Sequence, residues 1–270
     1  MKIHNSVLEI SSLYEGFLVD IWGVLHSSGI PFDGIFTSLE SLKKQGKKIV
    51  LLSNAPRRAV NVSEFLSQKV GVLKGIHYDE ILTSGEAFFL EMQDKAKGEE
   101  IFYIGPAKDL GVINGLNLRL KTDFNCNPAF AILTGMVANV EENLEFLKKK
   151  NLTLYCLNPD VFITNSQGLT EECAGFFAKK YEQIGGKVIY FGKPFLEVYT
   201  MALSFFSFGK SQILAIGDGM ETDILGANNA KIDCALCLAG LPSIEMKRGI
   251  KLEDFLSQFH SKPNFIIKSL

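Results

Sequence analysis

Four separated segments of this 270-residue chain carry side chains suited to moving a phosphoryl group. Asp20 follows the apolar run Phe17-Leu18-Val19 and precedes a glycine turn at Trp22-Gly23. Ser53 and Asn54 follow Ile49-Val50-Leu51-Leu52, and Lys193 stands between Gly192 and Pro194. Asp218 and Asp223 belong to Gly217-Asp218-Gly219-Met220-Glu221-Thr222-Asp223. Singly, each has a plainer account: Ser53 as a helix cap, Lys193 as a surface cation, the acids as turn and helix-start residues. Together they supply an attacking carboxylate, hydrogen-bond donors, a cation and further acids. Phosphoryl transfer needs such a set, because it is mostly positioning and charge neutralisation.

These groups need a scaffold that brings distant segments to one edge. Three wholly apolar runs, Phe17-Leu18-Val19, Ile49-Val50-Leu51-Leu52 and Ile213-Leu214-Ala215-Ile216, each end abruptly in small or polar residues. Such runs predict strands buried on both faces, as in a parallel sheet covered by helices. Open sheets of that kind bind ligands beyond the carboxyl ends of their strands. Helical patterns are expected over residues 37–45, 61–70, 195–208 and 221–231, the first three stopping at Gly46, Gly71 and Gly209. The middle of the chain repeats the alternation, with strands expected over 101–104, 130–133 and 153–157 and helices over 141–150 and 170–185. The fold class is therefore α/β, with a smaller α/β unit at residues 85–187 inserted into a core formed by 1–84 and 188–270.

Composition narrows the function class. An apolar fraction of 47% and a charged fraction of 21% describe an ordinary globular chain. The net charge of −2 lacks the basic footprint of a nucleic-acid partner. No stretch approaches the roughly 18 apolar residues of a membrane span, and the N-terminus has no secretory pattern, so a cytoplasmic location is expected. The five cysteines suggest no disulfide framework. Cys234 and Cys237 sit in an apolar stretch without a second pair, and are expected to be buried thiols. Lys148-Lys149-Lys150 reads as the solvated end of a helix.

In order, the Asp20, Ser53, Lys193-Pro194 and Gly217-to-Asp223 segments resemble the four motifs of the haloacid dehalogenase superfamily. Thr83-Ser84-Gly85, Asn158-Pro159-Asp160 and the insertion of about a hundred residues are similar to subclass IIA, which includes nucleotide, sugar, pyridoxal-phosphate and phosphoglycolate phosphatases. The resemblance implies a Rossmann-like parallel core with helices on both faces and an inserted cap. It implies a small phosphorylated metabolite as substrate, with Asp20 as nucleophile and an aspartyl-phosphate intermediate. It implies Mg²⁺ held by Asp20, Asp218 and the main-chain carbonyl of Trp22, with Asp223 in the metal site as an orienting acid. Lys193 would offset negative charge, Ser53 and the Asn54 N–H would bind phosphate oxygens, and Asn158 and Asp160 would lie near the substrate. Pairing of two copies through the insert is common in such proteins.

One position departs from the family pattern, which normally has a second aspartate two residues after the nucleophile. That residue protonates the leaving group and then activates the hydrolytic water. Here it is Trp22, whose indole N–H only donates. Metal binding is expected to survive, while esters with poor leaving groups suffer. The outcomes are a phosphatase favouring good leaving groups, a substitute proton carrier for which His26 is the nearest candidate in sequence, or a phosphate-ligand sensor with little turnover. Dehalogenases of the superfamily also lack this aspartate, but they work without a metal and need neither Asp218 nor Asp223. The insert's aromatics Phe102, Tyr103, Tyr155 and Phe162 are expected in its core.

Overall fold

The computed structural model describes residues 2–164 and 169–270. Among them, seven strands form one parallel sheet in the order Ile3–Ser6, Phe265–Ser269, Asp233–Cys237, Ile213–Gly217, Gly16–Asp20, Lys48–Ser53, Glu80–Thr83. Every residue of the Gly16–Asp20 and Ile213–Gly217 strands is buried. Because side chains alternate across a strand, each run feeds two cores. Phe17, Val19, Ile49, Leu51, Leu214 and Ile216 face a layer that includes Ile35, Leu39 and Leu42. Leu18, Val50, Leu52, Ile213 and Ala215 face Val198, Tyr199, Ala202 and Ala227. Burial of each such side chain is worth about 1.5–3 kcal/mol, which explains runs without a polar residue.

The order of these strands locates the site. From Gly16–Asp20 the chain first builds outward through Lys48–Ser53 to Glu80–Thr83. After the middle of the sequence it returns to the other side of Gly16–Asp20 with Ile213–Gly217 and builds outward again. The direction of winding reverses between Gly16–Asp20 and Ile213–Gly217, and connections diverging from such a point leave a crevice at the carboxyl ends. Asp20 and Asp218 stand at its two lips.

Between the two passes, a second parallel sheet runs in the order Lys187–Tyr190, Thr153–Cys156, Phe130–Leu133, Glu99–Ile104, Leu118–Lys121. Its last strand crosses the expected joint at residue 187. Its two faces bury Phe102, Phe146 and Phe177 on one side and Phe88, Tyr103 and Phe130 on the other. Phe102 and Tyr103 are thus core residues as expected, and Tyr155 packs against Phe130. Phe162 is 50% exposed, contrary to the core position expected for it.

Several elements differ from the periodicity. The helix expected over 170–185 is Ala174–Gln183, while Thr170–Glu172 pairs antiparallel with Phe162–Thr164. The helix starts late because Gly175 packs against the 158–160 loop: its N–H donates to the Asp160 carbonyl, and a Cβ there would lie 2.1 Å from the Pro159 oxygen. The pattern over 195–208 stops at Leu203, where Phe205, Phe206 and Phe208 turn in against the sheet. Residues 221–231 divide into a wide π-type turn, Met220–Ile224, and the helix Leu225–Ala230. All five cysteines are buried and free, and Cys234 and Cys237 feed opposite cores, so they cannot act as a pair. Lys148 and Lys149 are exposed at a helix end. No helix among the described residues is long and apolar enough to cross a membrane.

Candidate active site

Lys193 is the hub of the crevice. Its Nζ lies 2.6 Å from Asp20 Oδ1 and 2.8 Å from Asp223 Oδ1, and donates to the Leu52 carbonyl at 3.3 Å. The side chain is 3% exposed. Burial works against its charge, yet the two carboxylates hold its pKa well above the usual lysine range. Its main chain is fixed as well, for the Lys193 N–H donates to Asn54 Oδ1 at 2.7 Å and its carbonyl accepts from Asn54 Nδ2 at 3.2 Å. Asn54, directly after the Lys48–Ser53 strand, therefore clamps the lysine loop to the sheet.

Three acids converge on this cation. Asp20, Asp218 and Asp223 each offer an oxygen, all within 4.8 Å of one another, and all three residues are buried. Asp218 Oδ2 accepts from the Leu241 N–H at 2.7 Å. Asp223 turns its second oxygen to the Gly219 N–H at 3.2 Å and the Thr222 hydroxyl at 3.3 Å, bonds that the wide turn makes possible. Burial and the Asp223 charge push the Asp20 carboxyl well above the usual carboxylate range, against the pull of Lys193. Burial and the same neighbour raise Asp218 to about 7. Gly23 has φ +85°, and a Cβ there would sit 2.1 Å from Asp218 Oδ2, so the turn after the nucleophile must be glycine for the acids to meet.

The donor set has the chemistry of a hard divalent cation site. With all three carboxylates ionised, one lysine leaves two negative charges uncompensated in a buried space, which a divalent cation would cancel. Among the described residues, no histidine or cysteine lines the cavity around the cluster, which has a volume of about 230 Å³. Oxygen donors alone suit magnesium or calcium better than softer metals.

Asp20, Trp22, Ser53, Asn54, Asn158, Asp160, Lys193, Asp218 and Asp223 all line that cavity. The Ser53 oxygen accepts from the Ala55 N–H at 3.2 Å, leaving its own proton to donate. Asp160 comes over from the smaller sheet, and its Oδ1 accepts from Asn54 Nδ2 at 2.8 Å. Asn158 braces this loop by accepting from the Asp160 N–H at 3.1 Å. His26 is the exception. It is buried rather than an exposed loop imidazole, lies edge-on to Phe65, and is absent from the cavity lining. Burial lowers its pKa to about 4. The short hairpin His26–Ser27 with Ile30–Pro31 folds its ring inward.

Arg57, Phe162 and Thr222 also line the cavity, although the sequence did not mark Arg57, placed Phe162 in the insert core and gave Thr222 only as part of the Gly217-to-Asp223 segment. The Pro56-Arg57-Arg58 segment, one residue beyond Ser53-Asn54, was the available signal for Arg57. Its Nε is 3.9 Å from the buried Asp109 across the cleft. Nothing local marks Phe162, whose place follows from the hairpin. A second, wider cavity of about 670 Å³ adjoins the first and shares Asp160, Phe162, Asp218, Thr222 and Leu241 with it.

Comparison with known proteins gives this geometry a context. A family model of haloacid dehalogenase-like hydrolases matches residues 17–119, and a related HAD-hydrolase-like model matches 190–270. The ribonucleotide monophosphatase NagD of Escherichia coli is 24% identical over 233 residues, covering 84% of this chain and 89% of its own. The acid sugar phosphatase of Staphylococcus aureus is 22% identical over 237 residues, covering 86% and 89%. A solved haloacid dehalogenase-like hydrolase from Brucella suis superposes with a TM-score of 0.84 at 26% identity, over 99% of this chain and 100% of the other. A 4-nitrophenylphosphatase from Thermotoga maritima gives 0.77 at 24% identity, over 96% of each chain.

Proposed function

Since the chain belongs to the haloacid dehalogenase-like hydrolases, in the subclass IIA group of its phosphatase relatives, we propose that it is a magnesium-dependent phosphatase acting on a small phosphorylated metabolite through an aspartyl-phosphate on Asp20. The observation that carries this reading is Lys193 bridging Asp20 and Asp223, beside Asp218, where the winding of the sheet reverses.

In this reading the Asp20 carboxylate attacks phosphorus as the bond to the leaving oxygen breaks. Lys193 favours the ionised form of Asp20, against burial and the Asp223 charge, and offsets the charge of the incoming phosphate. Ser53 and the Asn54 main chain donate to phosphate oxygens, and the inserted segment from residue 85, extended through the Lys187–Tyr190 strand, forms the cap whose Asn158 and Asp160 close the site against water. The carboxylates of Asp20 and Asp218 and the carbonyl of Trp22 would hold the cation, which when bound supplies Lewis-acid neutralisation of the phosphoryl oxygens. Asp223, already bonded to Lys193, Gly219 and Thr222, orients rather than ligates.

Trp22 shapes the substrate preference. Loss of a proton-transfer group typically costs about 10²–10⁴-fold, or roughly 3–5.5 kcal/mol of barrier. Without a substitute proton carrier, aryl and acyl phosphates, whose oxygens leave without help, are the favoured substrates. Asp20→Asn is expected to abolish hydrolysis of p-nitrophenyl phosphate in the presence of Mg²⁺, and persistent activity would reject the assignment. Trp22 also favours a second reading, a phosphate-ligand sensor with negligible turnover. Turnover near 1 s⁻¹ or faster on a panel of phosphate esters, within the usual enzyme range, would exclude it.

A further inference from the structure

If hydrolysis proceeds as above, a proton must still reach the leaving oxygen, and one must later leave the attacking water. Few groups are placed to carry it. The acids lining the smaller cavity are Asp20, Asp160, Asp218 and Asp223, and three of these form the charge cluster around Lys193. Arg57 carries a guanidinium, a hydrogen-bond donor only. His26 lies outside the cavity. Asp160 is the remaining carboxyl. Resting on the phosphatase reading, we propose that Asp160 is the proton-transfer group of this enzyme, supplied from the cap side in place of the carboxyl that Trp22 lacks.

Position supports the assignment. Asp160 belongs to both cavities, the smaller one with the acid cluster and the larger one beside it. With a phosphoryl group on Asp20 in the first and the rest of the substrate in the second, the scissile oxygen would lie near the residues the two cavities share, of which Asp160 is the carboxyl outside the acid cluster. One carboxyl oxygen is fixed by Asn54 Nδ2 at 2.8 Å, and the Asn54 side chain is itself held by both main-chain groups of Lys193. Asp160 is thereby registered against the Asp20–Lys193 pair. Its second oxygen has no hydrogen bond to protein among the described residues, which leaves it for the substrate.

The environment suits a carboxyl that must hold a proton. Burial raises the Asp160 pKa, Asn54 and Lys193 oppose the rise, and Asp223 adds to it. The thiols of Cys156 and Cys173 also feel its charge, and are themselves raised chiefly by burial. Raised carboxyls paired with ionised ones are how acid and base roles are divided at neutral pH.

In the first step, the Asp20 oxygen bonds to phosphorus as the phosphorus–oxygen bond to the leaving group breaks. The electron pair departs with that oxygen, which takes the Asp160 proton and leaves as an alcohol. In the second, water attacks phosphorus and gives a proton to the Asp160 carboxylate. The bond to Asp20 breaks, releasing phosphate and restoring both carboxyl groups.

Asp160→Asn separates this role from a purely latching one, because the amide oxygen still accepts from Asn54. With Mg²⁺ present, kcat/KM is compared for p-nitrophenyl phosphate and glycerol 2-phosphate. The variant is expected to lose about 100-fold or more on the glycerol ester and only a few-fold on the nitrophenyl ester. It should also show a burst of one nitrophenolate per enzyme as the phosphoenzyme accumulates. Equal losses on both esters, or no loss on either, overturn the assignment. A wild type inactive on both esters instead overturns the phosphatase reading and this assignment with it. Should the variant melt below assay temperature, the wild-type ratio of the two kcat/KM values decides. It is expected to fall against the glycerol ester as pH rises through the Asp160 titration, whereas titrations within the acid cluster affect both esters and cancel. A ratio independent of pH overturns the proposal.

Discussion

Replacing Asp218 by asparagine should stabilise the metal-free protein while destroying its metal response. Asp218 is buried beside Asp223, and its carboxyl is raised from 3.8 to about 7. The shift, 7 − 3.8, is about 3 units, or roughly 4 kcal/mol at 1.36 kcal/mol per unit. The sign follows from proton uptake. Between pH 3.8 and 7 the folded state holds a proton that the unfolded state has released, so stability falls as pH rises through this window and is flat above it. Halving the figure for proton sharing with the adjacent acids leaves about 2 kcal/mol. For a chain of this size that is roughly 4–8 °C in Tm. The amide oxygen of the variant can still accept from the Leu241 N–H, so no cap on that group is lost. Thermal melts in EDTA at pH 7.5 should place Asp218→Asn above wild type, with the gap narrowing to less than half by pH 5. Excess Mg²⁺ should stabilise the wild type by about 2.7 kcal/mol at a hundred times Kd, raising its Tm, and leave the variant unmoved. A variant that melts below wild type at pH 7.5 in EDTA, or a gap that ignores pH, would refute the reasoning.

Other perturbations probe neighbouring features. His26 is lowered to about 4 by burial, so its contribution is fully present above pH 6.5 and is lost as pH falls toward 4; His26→Gln should flatten the acid limb of a Tm–pH profile by up to about 3 kcal/mol, and an unchanged limb would count against a buried neutral ring. Gly23→Ala forces a Cβ into the Asp218 carboxylate at a positive φ, so Mg²⁺-dependent stabilisation should disappear in thermal melts, along with at least about 100-fold of phosphatase activity. Phe162, half exposed at the cavity mouth, offers its ring to an aromatic leaving group; Phe162→Ala should raise KM for p-nitrophenyl phosphate several-fold with little change in kcat, a loss of about 1 kcal/mol in contact.

The sequence was most legible where strand physics and site chemistry coincide. Asp20, Ser53 and Asp218 each follow a run that is apolar because both of its faces are covered, so their place at one edge could be read from burial alone. Lys193 lies on a loop with no such run before it, and only its company pointed to the site. Where the reading failed, a long-range contact had overridden a local pattern. Thr170–Glu172 joined a hairpin because the 158–160 loop occupies the space where a longer helix would begin. His26 turned inward because Phe65, forty residues on, supplies a face for its ring. Residues 204–208 left their helix because three phenylalanines found the sheet. Phe162 and Arg57 reached the cavity through tertiary placement, which no spacing rule encodes.

The pairing of Gly16–Asp20 with Ile213–Gly217 has a consequence for biosynthesis. Its two partners are separated by roughly 200 residues, and a ribosome adding about 5–20 residues per second needs on the order of ten to forty seconds between them. Throughout that interval the first strand has Lys48–Ser53 on one side and an unpaired apolar edge on the other, a surface prone to mistaken partners. The emerging chain therefore holds neither a complete sheet nor an assembled acid cluster until its final third is made. Chaperone dependence during translation, more than stability once folded, is then the point at which mutations in these strands would be felt.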